Sequence, residues 1–270
     1  MRSGTSTLAR WLGDHPDVFV APGKELHFFD RYYDKGLDWY RSLFAGSTTE
    51  SQVGEATPNY LHEPLALRRI AKTLPQAHLL ISLRDPIDRA YSHYWHNRSR
   101  GKEPLSFEEA LAAEATRTGG DDIDRAWFSY ASRGDYMDQI EGLLSLFPRE
   151  AVHIEIAEEM QTDPATALPR IYRFLGIDDQ FLPEAVDRKV NAYVEFRSVA
   201  LRRLTRRLPR PLAKPLNRLN AKTGQEYPPM KPATRRMLDD RYREGNRRLA
   251  QFLGRTEIWP ISGDPAKKPA

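Results

Sequence analysis

Along the chain the apolar positions switch repeatedly between a helical and a strand period. Ser6 to Gly13 puts Leu8, Trp11 and Leu12 on one face of a short helix that Gly13 ends. Val18 to Ala21 is a short apolar strand before the Pro22–Gly23 turn, and Gln52 to Ala56 is a second. Leu65 to Leu74 is helical. Ala77 to Leu83 is a continuous apolar run with one Ser, the pattern of a strand covered on both faces. Asp88 to Asn97 predicts a helix, and Ser106-Phe-Glu-Glu109 is a capping box that opens another. Tyr136 to Phe147 is helical up to Pro148, and Ala151 to Ile156 alternates as a strand. Ala165 to Leu175 is a helix closed by Gly176, and Pro232 to Leu253 a long one closed by Gly254.

Strands alternating with helices predict an α/β fold with a central, mostly parallel sheet flanked by helices in three layers. No internal repeat and no clean linker divides residues 1–270, so a single domain is expected. A basic, Pro-interrupted insertion occupies about 194–222 and a polar tail about 261–270.

Composition narrows the classes. The 270 residues are 40% apolar and 10% aromatic, enough for a packed core. No apolar run approaches the ~20 residues of a membrane-spanning helix. Zero cysteines exclude disulfides, thiolate metal sites and a cysteine nucleophile. With no basic-then-apolar leader in the first residues, the expected location is the cytoplasm. A net charge of +4 is too mild to imply a nucleic-acid partner.

Three motifs carry chemistry. The first is Arg2-Ser3-Gly4-Thr5-Ser6-Thr7. Small residues let the backbone curl so that successive N–H groups face one anion, and the following helix adds positive potential. The bland alternative is a tail running into a capped helix. A nucleoside-triphosphate P-loop would place Lys where Thr5 follows Gly4, so kinase or ATPase equipment is lacking. A phosphate loop is normally launched from a buried strand, and a strand is therefore expected ahead of Arg2, missing from this chain.

The second motif runs from Arg84 to Tyr94. Arg84 stands at the C-terminal end of the best strand, where ligands bind in open α/β sheets. Arg84 and Ser92 converge on one phosphate if the strand turns into a helix between them. Otherwise Arg84–Asp85 is a turn-stabilising ion pair and Arg89 a solvated charge. The third is Lys24-Glu25-Leu26-His27-Phe28-Phe29-Asp30. In an extended segment Glu25 and His27 face the same side, a carboxylate beside an imidazole that suits general-base work. An ordinary polar surface gives the same pattern.

Taken together, these motifs make the chain resemble the 3′-phosphoadenosine 5′-phosphosulfate (PAPS)-dependent sulfotransferases, in particular bacterial members related to heparan sulfate sulfotransferases. Further matches in order are His15-Pro-Asp-Val18, Gly54-Glu-Ala-Thr-Pro-Asn-Tyr60, Arg133-Gly-Asp-Tyr-Met-Asp-Gln139, Phe147-Pro-Arg-Glu150, Phe174-Leu-Gly176 and Tyr227-Pro-Pro-Met230. The resemblance covers nearly everything except about Val194 to Lys222. It implies a P-loop-type fold and transfer of a sulfuryl group from PAPS to an acceptor hydroxyl or amine, leaving 3′-phosphoadenosine 5′-phosphate (PAP). It assigns Arg2, Ser3, Gly4, Thr5, Ser6 and Thr7 to the 5′-phosphosulfate, and Arg84 and Ser92 to the 3′-phosphate. Glu25 is the implied base and His27 its assistant. Arg2 stands where the family has Lys or Arg to stabilise the leaving oxygen, but arginine is effectively never deprotonated, so it cannot donate a proton. Thr223, Gly224 and Tyr227 match a loop that closes over the nucleotide, with Thr223, Gln225 and Glu226 replacing its usual basic residues. No metal is implied, because a singly charged sulfuryl group needs less neutralisation than a γ-phosphate.

The acceptor expected from the resemblance is a carbohydrate or glycolipid, with a small alcohol also open. Ala56 replaces a lysine that contacts saccharide in heparan enzymes, and His96 a glutamine. Arg197, Arg202, Arg203, Arg206, Arg207, Arg210, Lys214 and Arg218 form a basic stretch without an acid. It is either a solvated cover or a patch for an acceptor or an anionic membrane surface, the inner membrane face for a cytoplasmic enzyme. The competing readings are a nucleotide-binding P-loop protein with kinase-like activity and a non-catalytic binder.

Overall fold

A computed structural model describes residues 2–23, 25–120, 122–184, 186, 194–196, 205, 208–209, 212–213, 215–216, 221–223 and 227–260. In chain order these form α1 (Thr5–Gly13), β1 (Val18–Val20), α2 (Phe28–Arg31), α3 (Gly36–Ser42), β2 (Gln52–Gly54), α4 (Pro64–Thr73), β3 (Leu79–Leu83) and α5 (Pro86–Ser99). There follow α6 (Phe107–Ala112), α7 (Glu114–Thr118), α8 (Asp122–Phe128), α9 (Tyr136–Leu144), β4 (Val152–Ile156), α10 (Ala157–Thr162) and α11 (Pro164–Leu175). The last elements are β5 (Val194–Phe196), β6 (Ala221–Thr223) and α12 (Pro232–Phe252). The chain folds into two compact units, one of Met1–Arg84 with Met137–Val190, the other of Asp85–Tyr136 with Asn191–Ala270.

The first unit holds the parallel strands. β1 pairs with β2, Val18 opposite Gln52 and Val20 opposite Gly54. β3 pairs with β4 over five positions, from Leu79 opposite Val152 to Leu83 opposite Ile156. Parallel neighbours require crossover connections, and here helices and loops supply them, as the alternating pattern predicts. The core gathers Leu8, Trp11 and Leu12 of α1 with Val18, Met160 of α10, and Leu168, Ile171 and Tyr172 of α11. Each such side chain, fully buried, is worth ~1.5–3 kcal/mol. Local signals set the boundaries of α11. The Asp163 side chain accepts from Thr166 N–H at 3.1 Å, Pro164 occupies the first turn, and Gly176 ends the helix at φ 69°.

The second unit packs α5, α6 and α12 around Ile87, Ala90, Tyr94, Phe107, Ala110, Tyr130, Leu238 and Tyr242. The capping box forms as the sequence requires, with Ser106 and Glu109 bonded reciprocally. Two buried carboxylates tie loops to helices. Glu103 accepts from Arg117 at 2.7 Å and from the Tyr130 hydroxyl at 2.8 Å, and Glu114 accepts the Ala131 and Ser132 N–H groups. The ends of the insertion meet, because β5 and β6 pair antiparallel with Val194 opposite Thr223. The eight cations of the 197–218 stretch lie outside the described residues. Among the described residues no helix is long and apolar enough to cross a membrane.

Candidate active site

The first loop takes the shape its small residues allow. Gly4 caps α1 at φ 76°, a left-handed conformation that L side chains adopt reluctantly. A Cβ there would also lie 3.0 Å from Gln161 Nε2 on α10, so glycine serves both the turn and a close approach. Ser3 is buried, and its carbonyl accepts from Ser82 on β3. The strand thereby fixes the loop laterally. Thr7 and Leu8 N–H close onto the Gly4 carbonyl, while the amides ahead of them belong to the helix start, whose dipole favours an anion. Arg2 also has a positive φ, 66°.

Arg84 follows the last residue of β3 and lies 3.9 Å from Glu158 on α10. The loop and Arg84 therefore share one neighbour, since Gly4 approaches Ala157, Met160 and Gln161 of that helix. Asp85 caps α5, accepting from Ile87 N–H at 2.8 Å and Asp88 N–H at 3.1 Å. Burial and the nearby Asp88 raise the Asp85 carboxyl to about 6, against the pull of those two bonds. Arg89 is not a solvated charge. It is 1% exposed and donates to the Tyr130 carbonyl. Ser92, in α5, is 2% exposed.

Glu25 and His27 meet, but not through the extended alternation expected of them. His27 sits at φ 53°, ψ 28° and starts α2, turning its ring back so that Nε2 lies 3.5 Å from Glu25 Oε2. Its other nitrogen, Nδ1, lies 2.9 Å from Asp30 Oδ2, and Asn59 Nδ2 donates to that same carboxylate oxygen at 2.7 Å. Burial works against charge on the ring, yet the bonds to Asp30 and Glu25 outweigh it and raise the imidazole to about 9. His27 is thus an imidazolium at neutral pH. Asp30 is held below the usual carboxylate range, its burial overcome by His27 and Asn59. Glu25 itself is the more exposed partner, its side chain 39% accessible. The ring offers Glu25 a charged donor and does not compete with it for a proton.

Asp30 and Asn59 are absent from the sequence-derived site, although both lie inside quoted motifs. The signal for Asp30 is its i,i+3 spacing from His27, which becomes a contact only once α2 is recognised. Of the nucleotide loop, Thr223 ends β6 and Gly224 lies outside the described residues. Tyr227 stacks on Trp95 at 6.0 Å and meets Tyr91 edge-on. Among the described residues no group of three or more His, Asp or Glu could hold a metal ion.

Comparison with known proteins agrees with this arrangement. The family model described as a sulfotransferase domain matches residues 1–252. The chain is 32% identical over 258 residues to human heparan sulfate glucosamine 3-O-sulfotransferase 6, covering 96% of this chain and 71% of that protein. It is 29% identical over 264 residues to human bifunctional heparan sulfate N-deacetylase/N-sulfotransferase 3, covering 93% of this chain but 29% of that protein. Of five further 3-O-sulfotransferases it spans less than two thirds, between 42% and 62%. The crystal structure of a sulfotransferase from Alicyclobacillus acidocaldarius superposes with a TM-score of 0.70 at 29% identity, over 94% of this chain and 92% of that one. Family, fold and site geometry lead to one conclusion: the chain belongs to the sulfotransferase family, enzymes that transfer a sulfuryl group.

Proposed function

We propose that this sulfotransferase moves a sulfuryl group from PAPS to a hydroxyl or amine of a carbohydrate-containing acceptor. The observation that carries the reading is the Glu25–His27–Asp30 arrangement in the first unit, which also contains the Arg2–Thr7 loop. The loop suits a phosphosulfate because its amides and hydroxyls sit at a helix start beside Arg2. Glu25 takes the acceptor proton. The His27 imidazolium, anchored by Asp30, orients that carboxylate through Nε2. Arg2 supplies positive charge at the leaving oxygen and, staying protonated throughout, moves no proton. Arg84 and Ser92 hold the 3′-phosphate, and Thr223, Gly224 and Tyr227 close over the nucleotide. Catalysis of this kind is mainly positional and electrostatic.

A carbohydrate acceptor is supported by the relatives, whose names describe glucosamine 3-O- and N-sulfotransferases of heparan sulfate. Ala56 and His96 favour an acceptor other than heparan sulfate itself. The cysteine-free composition suits a cytoplasmic enzyme, and the 197–218 stretch an anionic acceptor or membrane surface.

Two measurements test the reading. Calorimetry should give PAP at least about tenfold tighter binding than AMP, since charge-assisted bonds contribute ~1.5–3 kcal/mol each. Equal affinities would remove the 3′-phosphate assignment. Glu25→Gln keeps shape without proton acceptance and should lower turnover by roughly 10²–10⁴ while PAP affinity holds. Near-normal turnover would move the base elsewhere.

A further inference from the structure

Besides Glu25 and Asp30, a third carboxylate stands close to His27, and the proposed reaction gives it no role. Glu55 follows β2 directly, and four donors converge on it. They are the Leu26 backbone N–H, the Thr57 hydroxyl at 2.5 Å, the Tyr60 hydroxyl at 2.7 Å and the Tyr40 hydroxyl at 3.4 Å. Thr57 Oγ1 also accepts from the His27 N–H at 3.3 Å. Its single proton goes to Glu55, which leaves its lone pairs to the amide.

The backbone amides of Leu26 and His27 are therefore both fastened to residues 55–57. These amides flank the two side chains that form the Glu25–His27 pair. The fastening is itself anchored in the core. Tyr40 stacks on Phe28 at 4.4 Å, and Tyr60 meets Phe29 edge-on at 5.6 Å. Packing alone would be served better by an apolar residue, because a buried carboxylate must be desolvated. An apolar residue could not accept from an amide and three hydroxyls at once. His27 also holds a left-handed backbone, which persists only where the surroundings over-determine it.

We propose that Glu55 and Thr57 are positioning residues for sulfuryl transfer, clamping the Leu26–His27 backbone so that His27 stays between Asp30 and Glu25. The proposal rests on the reading of Glu25 as base only for its purpose; the clamp itself is tested separately. Misplacing a catalytic group by about 1 Å can cost roughly 10²-fold in rate.

The test follows the His27 ring by NMR titration in the full chain, because its midpoint near 9 reports how closely both carboxylates approach. Thr57→Val removes the hydroxyl at constant shape and should lower the midpoint by at least about one pH unit, with PAP affinity within twofold of wild type. Thr57→Ser should restore the midpoint. Glu55→Gln should shift it in the same direction as Thr57→Val, and if that variant fails to fold the Thr57 pair still decides. An unmoved midpoint in Thr57→Val overturns the clamp. So does an equal shift in Thr57→Ser, which would assign the effect to the methyl group, or a parallel loss of PAP affinity, which would mean general loosening. Should Glu25→Gln leave transfer intact, the base reading falls, while the titration continues to judge the clamp alone.

Discussion

His27 Nδ1 stands 2.9 Å from the Asp30 carboxylate, and this contact, with the one to Glu25, outweighs burial and turns a group that usually titrates near neutrality into a standing cation. The ring gains its proton more tightly in the fold than in the unfolded chain. A raised pKa of this kind contributes stability that is complete below 6.5 and is lost as pH rises to about 9. Thermal melts should therefore fall across that window.

The same titration should shape the rate. Above about 9 the ring no longer offers Glu25 a charged donor, so turnover should decline there with a single alkaline limb. Asp30→Asn removes the main stabilising charge, and both the limb and the melting transition should move toward 6.5. A limb unchanged by Asp30→Asn would separate His27 from the chemistry.

Gly4→Ala should weaken nucleotide binding more than it unfolds the protein. At φ 76° an alanine costs ~1–2 kcal/mol, and the one contact of its Cβ tighter than ordinary packing is with the end of the flexible Gln161 side chain. The strain falls on the loop proposed to offer amides to the anion, so PAP affinity should drop at least about tenfold. Calorimetry beside a melting curve checks both parts.

Much of this was legible in the sequence, and the failures have physical causes. Capping signals and period placed α1, α5, α11 and α12 within one or two residues, because Pro, Gly, Ser and Asp act on the nearest backbone groups. The motif spacing identified the family. The shape of the Glu25–His27 segment was not legible. Alternation predicted an extended backbone, but tertiary bonds from Thr57 and Glu55, with the i,i+3 contact to Asp30, accompany a left-handed turn at His27. Likewise, nothing local distinguishes Arg89 from a solvated charge; the fold buries it and gives it the Tyr130 carbonyl, 41 residues away, as an acceptor. Long-range partners decide such cases, and a single sequence lists residues without their partners.

Asp85 gives a stability effect confined to acid. Burial and Asp88 raise its carboxyl from 3.8 to about 6, so its ionisation opposes folding. The corresponding stability is complete below 3.8 and is lost as pH rises through about 6. Asparagine caps a helix about as well as aspartate but carries no charge to desolvate. Asp85→Asn should thus gain on wild type in melting temperature between pH 4 and pH 7, then run parallel. A constant difference across that range would show that the carboxylate titrates normally.

Gly134 makes the sharpest packing prediction. A Cβ at this position would lie 2.7 Å from the Tyr242 ring, a distance that real side chains do not tolerate. The ring cannot easily retreat, because Tyr242 is 2% exposed, packs in the second unit's core and donates to the Ala131 carbonyl at 2.9 Å. Gly134→Ala should therefore destabilise the fold by ~1–3 kcal/mol, the usual range for overpacking. The cost should also be coupled to the ring that causes it. Tyr242→Leu, harmful alone through a lost hydrogen bond and a cavity, should cost less in the Gly134→Ala background than in wild type. A double-mutant cycle in denaturant measures that coupling, and strict additivity would mean the backbone, not Tyr242, excludes a side chain at residue 134.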